Sequence, residues 1–250
     1  MNHTPHSAPE VAEFERLLTR PNSDPTGLAG FFNAGQIWVA RVPARLDVMG
    51  GIADYSGANV CEAVLGAGNL IALQPRTDRT LRIRTVQLGE RNLPVETRIP
   101  LDYFASGDLP ADYSEVRKCC QRNPLAAWAS YIGGSIFTML REEHIHLPYG
   151  FSMLLLSGVP MNVGIGSSAA TEVGTICCLN AYLDLKLDAA RIAKLAQLAE
   201  NHDQCHPRRV RSRADRLPDG AHAGRMARIV PRPNPRGDLR RRVSGNLSHP

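Results

Sequence analysis

Residues 158–170 have the composition of an anion-binding loop. They read Gly-Val-Pro-Met-Asn-Val-Gly-Ile-Gly-Ser-Ser-Ala-Ala, with an apolar run at 151–156 before them and a helical pattern at 169–183 after them. In a strand, loop and helix arrangement, glycines let the backbone approach a phosphate, and the first N–H groups of the helix point at it. The hydroxyls of Ser167 and Ser168 are placed either to cap the helix or to bind phosphate or a metal. The loop therefore indicates nucleotide binding, although it matches neither the P-loop nor the dinucleotide fingerprint.

A second group of polar residues surrounds a pair of glycines at 50–51. Arg45, Asp47 and Asp54 lie within the stretch 41–57. Carboxylates accept hydrogen bonds from neighbouring hydroxyls, so an arginine and carboxylates beside bare backbone suit a polyhydroxylated ligand. The alternative is a turn at 54–57 that joins two strands.

Glu200 lies near the end of a third feature, an amphipathic helical pattern with Ile192, Leu195, Ala196 and Leu198 on one face. A carboxylate there is placed to complete a Mg2+ site with a serine hydroxyl and phosphate oxygens. The alternative is an exposed helical glutamate.

The elements that position these residues mix helices and strands. The patterns predict a helix in the first 35 residues, a strand at 37–42, two strands within 70–86, a helix at 123–141, a buried strand at 152–156, and a helix capped by Asp188. Because strands and helices do not alternate strictly, we predict an α+β fold.

Together these motifs resemble the GHMP kinases, the superfamily of galactokinase, homoserine kinase and mevalonate kinase. Residues 158–170, followed by Glu172, resemble the signature P-x-G-x-G-L-x-S-S-A-A. Residues 45–57 resemble the sugar-binding signature of galactokinases, and residues 128–134 resemble their W-A-N-Y-x-x-G helix. The resemblance implies a GHMP kinase N-terminal domain, of the ribosomal protein S5 domain 2-like fold, over residues 1–203.

The departures from the galactokinase pattern bear on the sugar. Gly51-Ile52 stands where galactokinases carry the Glu-His that helps to hold galactose, and the motif looks closest to the arabinokinase branch. That branch phosphorylates the anomeric hydroxyl of L-arabinose. The resemblance implies an ATP-dependent kinase for an L-arabinose- or galactose-like monosaccharide, and a sugar- and ATP-binding sensor without turnover is the alternative.

The resemblance also assigns roles to individual residues. Arg45 would lie beside the reacting hydroxyl, and Trp128 would lie near the adenine, unless it is a core aromatic. The sugar would be bound by Asp47, Asp54 and Tyr55. The ATP phosphates would be bound by Gly164, Gly166, Ser167, Ser168 and Ala169, and Mg2+ by Ser168 and Glu200.

The chain changes character near residue 203. Residues 1–200 hold 17 Lys and Arg against 20 Asp and Glu, whereas residues 201–250 hold 12 Arg and 4 Asp. Residues 204–250 contain no Phe, Trp or Tyr, which predicts a disordered Arg/Pro-rich tail. The family's catalytic Asp would fall near Ser212, where nothing matches. We therefore expect that the C-terminal part is lost or frame-shifted and that the C-terminal GHMP domain is absent. Activity is then expected to be weak or lost. A genuine alternative C-terminus is the competing explanation.

Composition indicates a cytoplasmic protein. Six cysteines form no C-x-x-C pair, no apolar run approaches the length of a membrane span, and the polar start is no signal peptide. The expected partners are a small-molecule sugar and ATP, with no membrane and no specific nucleic acid. An Arg-rich tail without aromatics would bind nucleic acid only non-specifically.

Overall fold

The computed structural model describes residues 9–20, 28–50, 59–86, 95–106, 109–114, 116, 128–160, 164–203, 225–231 and 241–243. The helices in these ranges are α1 (Pro9–Thr19), α2 (Ser130–Glu142), α3 (Ser167–Leu183) and α4 (Ala189–Asp203). The strands are β1 (Ile37–Met49), β2 (Cys61–Pro75), β3 (Thr80–Thr85), β4 (Glu96–Pro100), β5 (Ala105–Ser106), β6 (Leu109–Pro110), β7 (Phe151–Ser157), β8 (Arg225–Pro231) and β9 (Arg241–Val243), and a 3-10 turn spans Leu101–Tyr103.

A mixed sheet with the strand order β4-β3-β7-β2-β1-β8-β9 forms the centre of the fold. Strand β2 pairs antiparallel with β1 and with β7, while β3 runs parallel to β7. The two strands predicted within 70–86 are therefore not neighbours, because β7 lies between them. The mixed sheet with its helices confirms the α+β class.

Both faces of the sheet are covered. Successive strand side chains point to opposite faces, and in β2 the residues Ile71 and Leu73 belong to one core while Leu70 and Ala72 belong to the other. Helices α2, α3 and α4 contribute to the first core, and Phe14 and Leu17 of α1 contribute to the second. Full burial on both sides explains why the middle of β2 reads as a continuous apolar run.

Strand β1 is longer than the sequence pattern predicts. The prediction ended at residue 42, but the strand continues to Met49 and pairs with the start of β2. Backbone pairing in a hairpin needs no buried face, so this end of β1 stays paired although its side chains, among them Asp47 and Met49, are exposed and its register shifts between Pro43 and Arg45 and between Asp47 and Met49. Arg45 and Asp47 thus lie on a strand, and the turn predicted at 54–57 lies outside the described residues.

The helix predictions agree with the structure in type, although α2 begins at Ser130, later than the predicted start at residue 123, and residues 123–127 lie outside the described residues. Helix α3 begins two residues before the predicted range and ends at Leu183 as predicted. The predicted cap of α4 is confirmed, because the Arg191 amide donates to Asp188 Oδ1 at 2.7 Å. The buried strand predicted at 152–156 is confirmed as β7, which pairs with β2 and leads into the loop that begins at residue 158.

The backbone of residues 225–231 lies next to β1. The sequence predicts no regular structure after residue 204, whereas β8 pairs antiparallel with Ile37–Arg41 and β9 pairs with β8. The edge of β1 offers unpaired N–H and C=O groups, and such an edge accepts a strand of almost any composition. The division of the chain at residue 203 stays a prediction.

Helix α3 carries two adjacent cysteines that are fully covered by the core. Cys177 and Cys178 are buried and free, and burial raises the pKa of the Cys177 thiol to about 11. Neither thiol is therefore a nucleophile at neutral pH. Within the described part of the chain, no helix combines the length and apolar character that crossing a membrane requires.

Candidate functional site

The loop between β7 and α3 leaves the sheet through a tight crossing. The Gly158 amide donates to the Gly68 carbonyl at 2.9 Å, and a Cβ on Gly158 would lie 2.7 Å from that same oxygen. On its other side Gly158 faces Glu10 of α1, whose carboxylate pairs with Arg41 of β1 at 2.7 Å. Only a glycine fits this entry point, which therefore fixes where the loop begins.

The glycines at the end of the loop are required by backbone geometry. Gly164 and Gly166 both have φ of 76°, a left-handed conformation that side chains rarely adopt. A Cβ on Gly166 would also lie 3.3 Å from Arg45 Cγ, whereas a Cβ on Gly164 would meet open space. Residues 161–163 lie outside the described residues.

Helix α3 begins directly at the loop without a side-chain cap. Gly166 is its N-cap residue, and the first intrahelical bond runs from the Ala170 amide to the Gly166 carbonyl at 3.0 Å. The amides of Ser167, Ser168 and Ala169 therefore have no acceptor within the helix. Three N–H groups at the positive end of a helix form an arrangement suited to a phosphate.

Arg45 brings a positive charge from β1 to this loop. Its amide donates to the Ile165 carbonyl at 3.2 Å, and its side chain lies against Gly166. Its guanidinium forms an ion pair with Glu62 of β2. The pair is largely exposed, so we expect it to orient the arginine more than to stabilise the fold.

Ser168 and Glu200 meet across two helices. The Ser168 hydroxyl at the start of α3 donates to Glu200 Oε1 near the end of α4 at 3.3 Å. Both groups present oxygen, the ligand type that Mg2+ prefers, and Mg2+ is commonly held by one or two protein oxygens plus substrate phosphates. In the described ranges no three His, Cys, Asp or Glu side chains converge as a metal cluster, so phosphate oxygens and water would have to complete the coordination.

The remaining predicted site residues are only partly placed. Asp47 is exposed and lies opposite Glu62, the ion-pair partner of Arg45, in the β1–β2 register. Trp128, two residues before α2, packs against the core formed by α2, α3 and α4, which fits the core alternative, and its contact with adenine stays a prediction. Asp54 and Tyr55 lie outside the described residues.

Two residues next to the loop were not predicted from the sequence. Glu62 pairs with Arg45, and Asn69 of β2 contacts Ser167 and Thr171 of α3. The signal for Asn69 was present in the sequence, because an asparagine directly before the apolar run 70–73 is unusual for a central strand. No sequence pattern pointed to Glu62, since its pairing depends on the hairpin register.

The match to known families covers the loop and the helices that follow it. Residues 130–208 match the family described as GHMP kinases N terminal domain. Among curated relatives, the chain is 34% identical to L-arabinokinase of Arabidopsis thaliana over 195 residues, which is 69% of this chain and 19% of that protein. It is 27% identical to galactokinase of Roseiflexus sp. (strain RS-1) over 163 residues, which is 65% of this chain and 36% of that protein.

A solved structure shares the fold. The galactokinase of Lactococcus lactis, crystallised with galactose, superposes with a TM-score of 0.53 at 21% identity, over 68% of this chain and 39% of that one. The chain thus spans about a fifth to two fifths of these three relatives. By its sequence, the chain belongs to the GHMP kinase family, and its fold is that of the family's N-terminal domain.

Proposed function

We propose that the protein is an ATP-dependent sugar kinase that phosphorylates the anomeric hydroxyl of an L-arabinose- or galactose-like monosaccharide. The observation that supports it most is the convergence of three elements on the loop. Arg45 reaches it from β1, the amides of Ser167, Ser168 and Ala169, which have no acceptor within the helix, open α3, and Glu200 arrives from α4.

This geometry suits phosphoryl transfer because that reaction depends on positioning and charge stabilisation. The glycines and helix amides would hold the ATP phosphates, and Ser168 with Glu200 would hold Mg2+, which neutralises charge on the phosphate oxygens when bound. Arg45 would place a second positive charge beside the transferred group. Asp47, Asp54 and Tyr55 would bind the sugar hydroxyls, and Trp128 would lie at the adenine.

The choice between sugars follows from the relatives. L-arabinokinase and galactokinase are the names of proteins that match at 34% and 27% identity. Gly51-Ile52 replaces the Glu-His of the galactokinase motif, which favours L-arabinose over galactose. Free buried thiols in α3 fit the reducing conditions of the cytoplasm, where we place the protein.

Phosphorus NMR tests this proposal directly. The protein is incubated with ATP, Mg2+ and one aldose at a time, with L-arabinose and galactose in the panel. The expected product shows phosphorus coupled to the anomeric proton in a proton–phosphorus correlation spectrum, since the phosphate is attached at C1. Coupling of phosphorus to any other sugar proton would refute the anomeric assignment. If ATP were consumed equally with and without an aldose, or were not consumed with any aldose of the panel, the proposal of a sugar kinase would be refuted.

The coding DNA tests the proposed change of reading frame near residue 203. A shifted frame that encodes Gly-x-Pro-x-Gly followed by an Asp would support a frame change. Its absence from both shifted frames would favour a genuine alternative C-terminus. In the frame-change case, the NMR experiment is repeated on the corrected protein.

A further inference from the structure

A buried asparagine in the centre of the sheet contacts both ends of the phosphate loop. Asn69 lies on β2, where it pairs with Val42 of β1 and Ser157 of β7, and its side chain has no exposed surface. Asparagine is depleted in strands, and burying an amide is costly unless its hydrogen bonds are made. Such a residue in a central strand indicates a specific role.

The residues that flank the loop satisfy the Asn69 amide. Its Nδ2 donates to the Ser167 carbonyl at 3.0 Å and to the Thr171 hydroxyl at 2.9 Å, both in the first turns of α3. Its Oδ1 accepts from the Ser157 hydroxyl at 2.6 Å, at the last residue of β7. Because the Ser167 carbonyl can only accept, the atom facing it must be the amide nitrogen, which fixes the orientation of the side chain.

We propose that Asn69 is a positioning residue for the ATP loop. One planar amide joins the end of β7 to the start of α3, so it fixes the separation of the two loop ends. It thereby fixes the direction of the amides of Ser167, Ser168 and Ala169, where a displacement of about 1 Å is expected to matter strongly. That the loop binds ATP rests on the proposed function, whereas the contacts by which Asn69 joins β7 to α3 do not.

Asn69→Asp provides a variant that pH can reverse. The carboxylate keeps the shape and still accepts from Ser157, but it has no donor for the Ser167 carbonyl and repels it. Burial raises the pKa of such a carboxyl, so lowering the pH restores an O–H donor. We expect ATP binding of N69D to be about tenfold weaker than wild type at pH 8, with the gap closing as the pH falls.

A pair of threonines on α3 gives a matched control. Thr171 and Thr175 are both buried, and each donates to the carbonyl four residues earlier, at 3.0 Å and 2.9 Å. Thr171 contacts Asn69, and Thr175 lies one turn further from the loop. Replacing either by valine removes one hydroxyl at nearly constant shape. T171V should weaken ATP binding more than T175V does, even where the two lose equal stability.

The measurements are hydrogen exchange of the peptide spanning 158–171 and calorimetric titration with ATP, both on the full chain. We expect faster exchange in this peptide for N69D at pH 8 and for T171V, with α2 and β3 unchanged and T175V like wild type. Equal exchange in the T171V and T175V peptides, together with an N69D defect that pH does not alter, would overturn the proposal. If the wild-type chain bound no ATP, the proposed function would fail, and the exchange data alone would decide whether Asn69 joins the loop ends.

Discussion

At the scale of single residues, the site depends on short polar contacts between parts of the chain that are far apart in sequence. Ser168 and Glu200 are 32 positions apart and lie 3.3 Å from one another. Arg45 lies against Gly166 from β1, a strand near the start of the described chain. These contacts bring to the loop a positive charge and the proposed metal ligand Glu200, neither of which lies within residues 158–170.

The first prediction concerns the proposed metal ligands. Ser168→Ala removes the hydroxyl oxygen, and Glu200→Gln replaces the charged carboxylate by a neutral amide, so each should weaken ATP binding in the presence of Mg2+ by about tenfold or more. Binding without Mg2+ should change little. Calorimetric titration with and without Mg2+ measures both quantities. Asp184→Asn is the control, because this carboxylate is exposed beyond the end of α3 and pairs only with the exposed Lys186 among the contacts described.

An equal loss of affinity with and without Mg2+ would contradict this assignment. In that case the hydroxyl and the carboxylate would act on the loop itself. Near-normal Mg2+-dependent binding in both variants would show that the metal lies elsewhere.

The residue types of the site were predictable only where local geometry demands them. Gly164 and Gly166 were identifiable because a left-handed backbone requires glycine, and Ser167 and Ser168 because a helix starts there. Glu62 was not identifiable, since its contact with Arg45 depends on the pairing register of two strands. Register is set by long-range packing that a local pattern does not contain.

At the scale of elements, α4 matters because it carries Glu200. Its first turn is held by Asp188, whose carboxylate accepts from the Arg191 amide at 2.7 Å. Asp188→Ala should lower the free energy of unfolding by about 1 kcal/mol, whereas Asp188→Asn should keep most of the cap. Urea denaturation followed by circular dichroism measures the difference. Equal loss in the two variants would show that the cap is not what Asp188 contributes.

The β3–β4 hairpin provides a pH-dependent contribution to stability. Glu96 lies among three arginines, with Arg82 at 2.9 Å and Arg84 and Arg98 each at 3.3 Å. Burial raises the pKa of Glu96, but the hydrogen bonds and charges of Arg82, Arg98 and Arg84 outweigh it and lower the pKa overall. The ionised form therefore stabilises the fold, fully above the unfolded-state value of about 4.3, and this contribution is lost as the pH falls through the lower folded value.

Glu96→Gln tests this contribution. The variant should be less stable than wild type at pH 7, and the difference should shrink as the pH is lowered below about 4. Thermal unfolding across the range from pH 7 to pH 3 measures it. A stability difference that stays constant over this range would mean that the Glu96 charge is not responsible.

Elements were predictable to different degrees for physical reasons. Helix α3 and strand β7 follow from apolar spacing, which reflects burial against the core. The end of β1 was missed because Leu46 and Met49 are exposed, so no burial pattern marks it. Strand β8 was missed because it lies in a segment whose sequence keeps no alternating apolar pattern, although its backbone pairs with β1.

At the scale of the whole molecule, one sheet serves two cores and brings the site together. The face covered by α2, α3 and α4 places the start of α3 and the end of α4 beside each other, and α1 closes the opposite face. The described elements include both ends of the loop, the arginine and the proposed metal ligands. The chain spans 19% and 36% of the two curated relatives named above, and of the three residues proposed to bind the sugar only Asp47 lies within the described part of the chain.

The central claim is that residues 158–170 hold the phosphates of ATP, and calorimetric titration of the full chain with ATP and Mg2+ tests it most directly. Gly166→Val forces a branched side chain into a left-handed backbone against Arg45, while Gly66→Val adds the same side chain where a Cβ meets open space. We predict binding with a dissociation constant below about 1 mM for wild type and G66V, and its loss in a folded G166V. Absence of binding in wild type, or equal affinity in both variants, would contradict the claim.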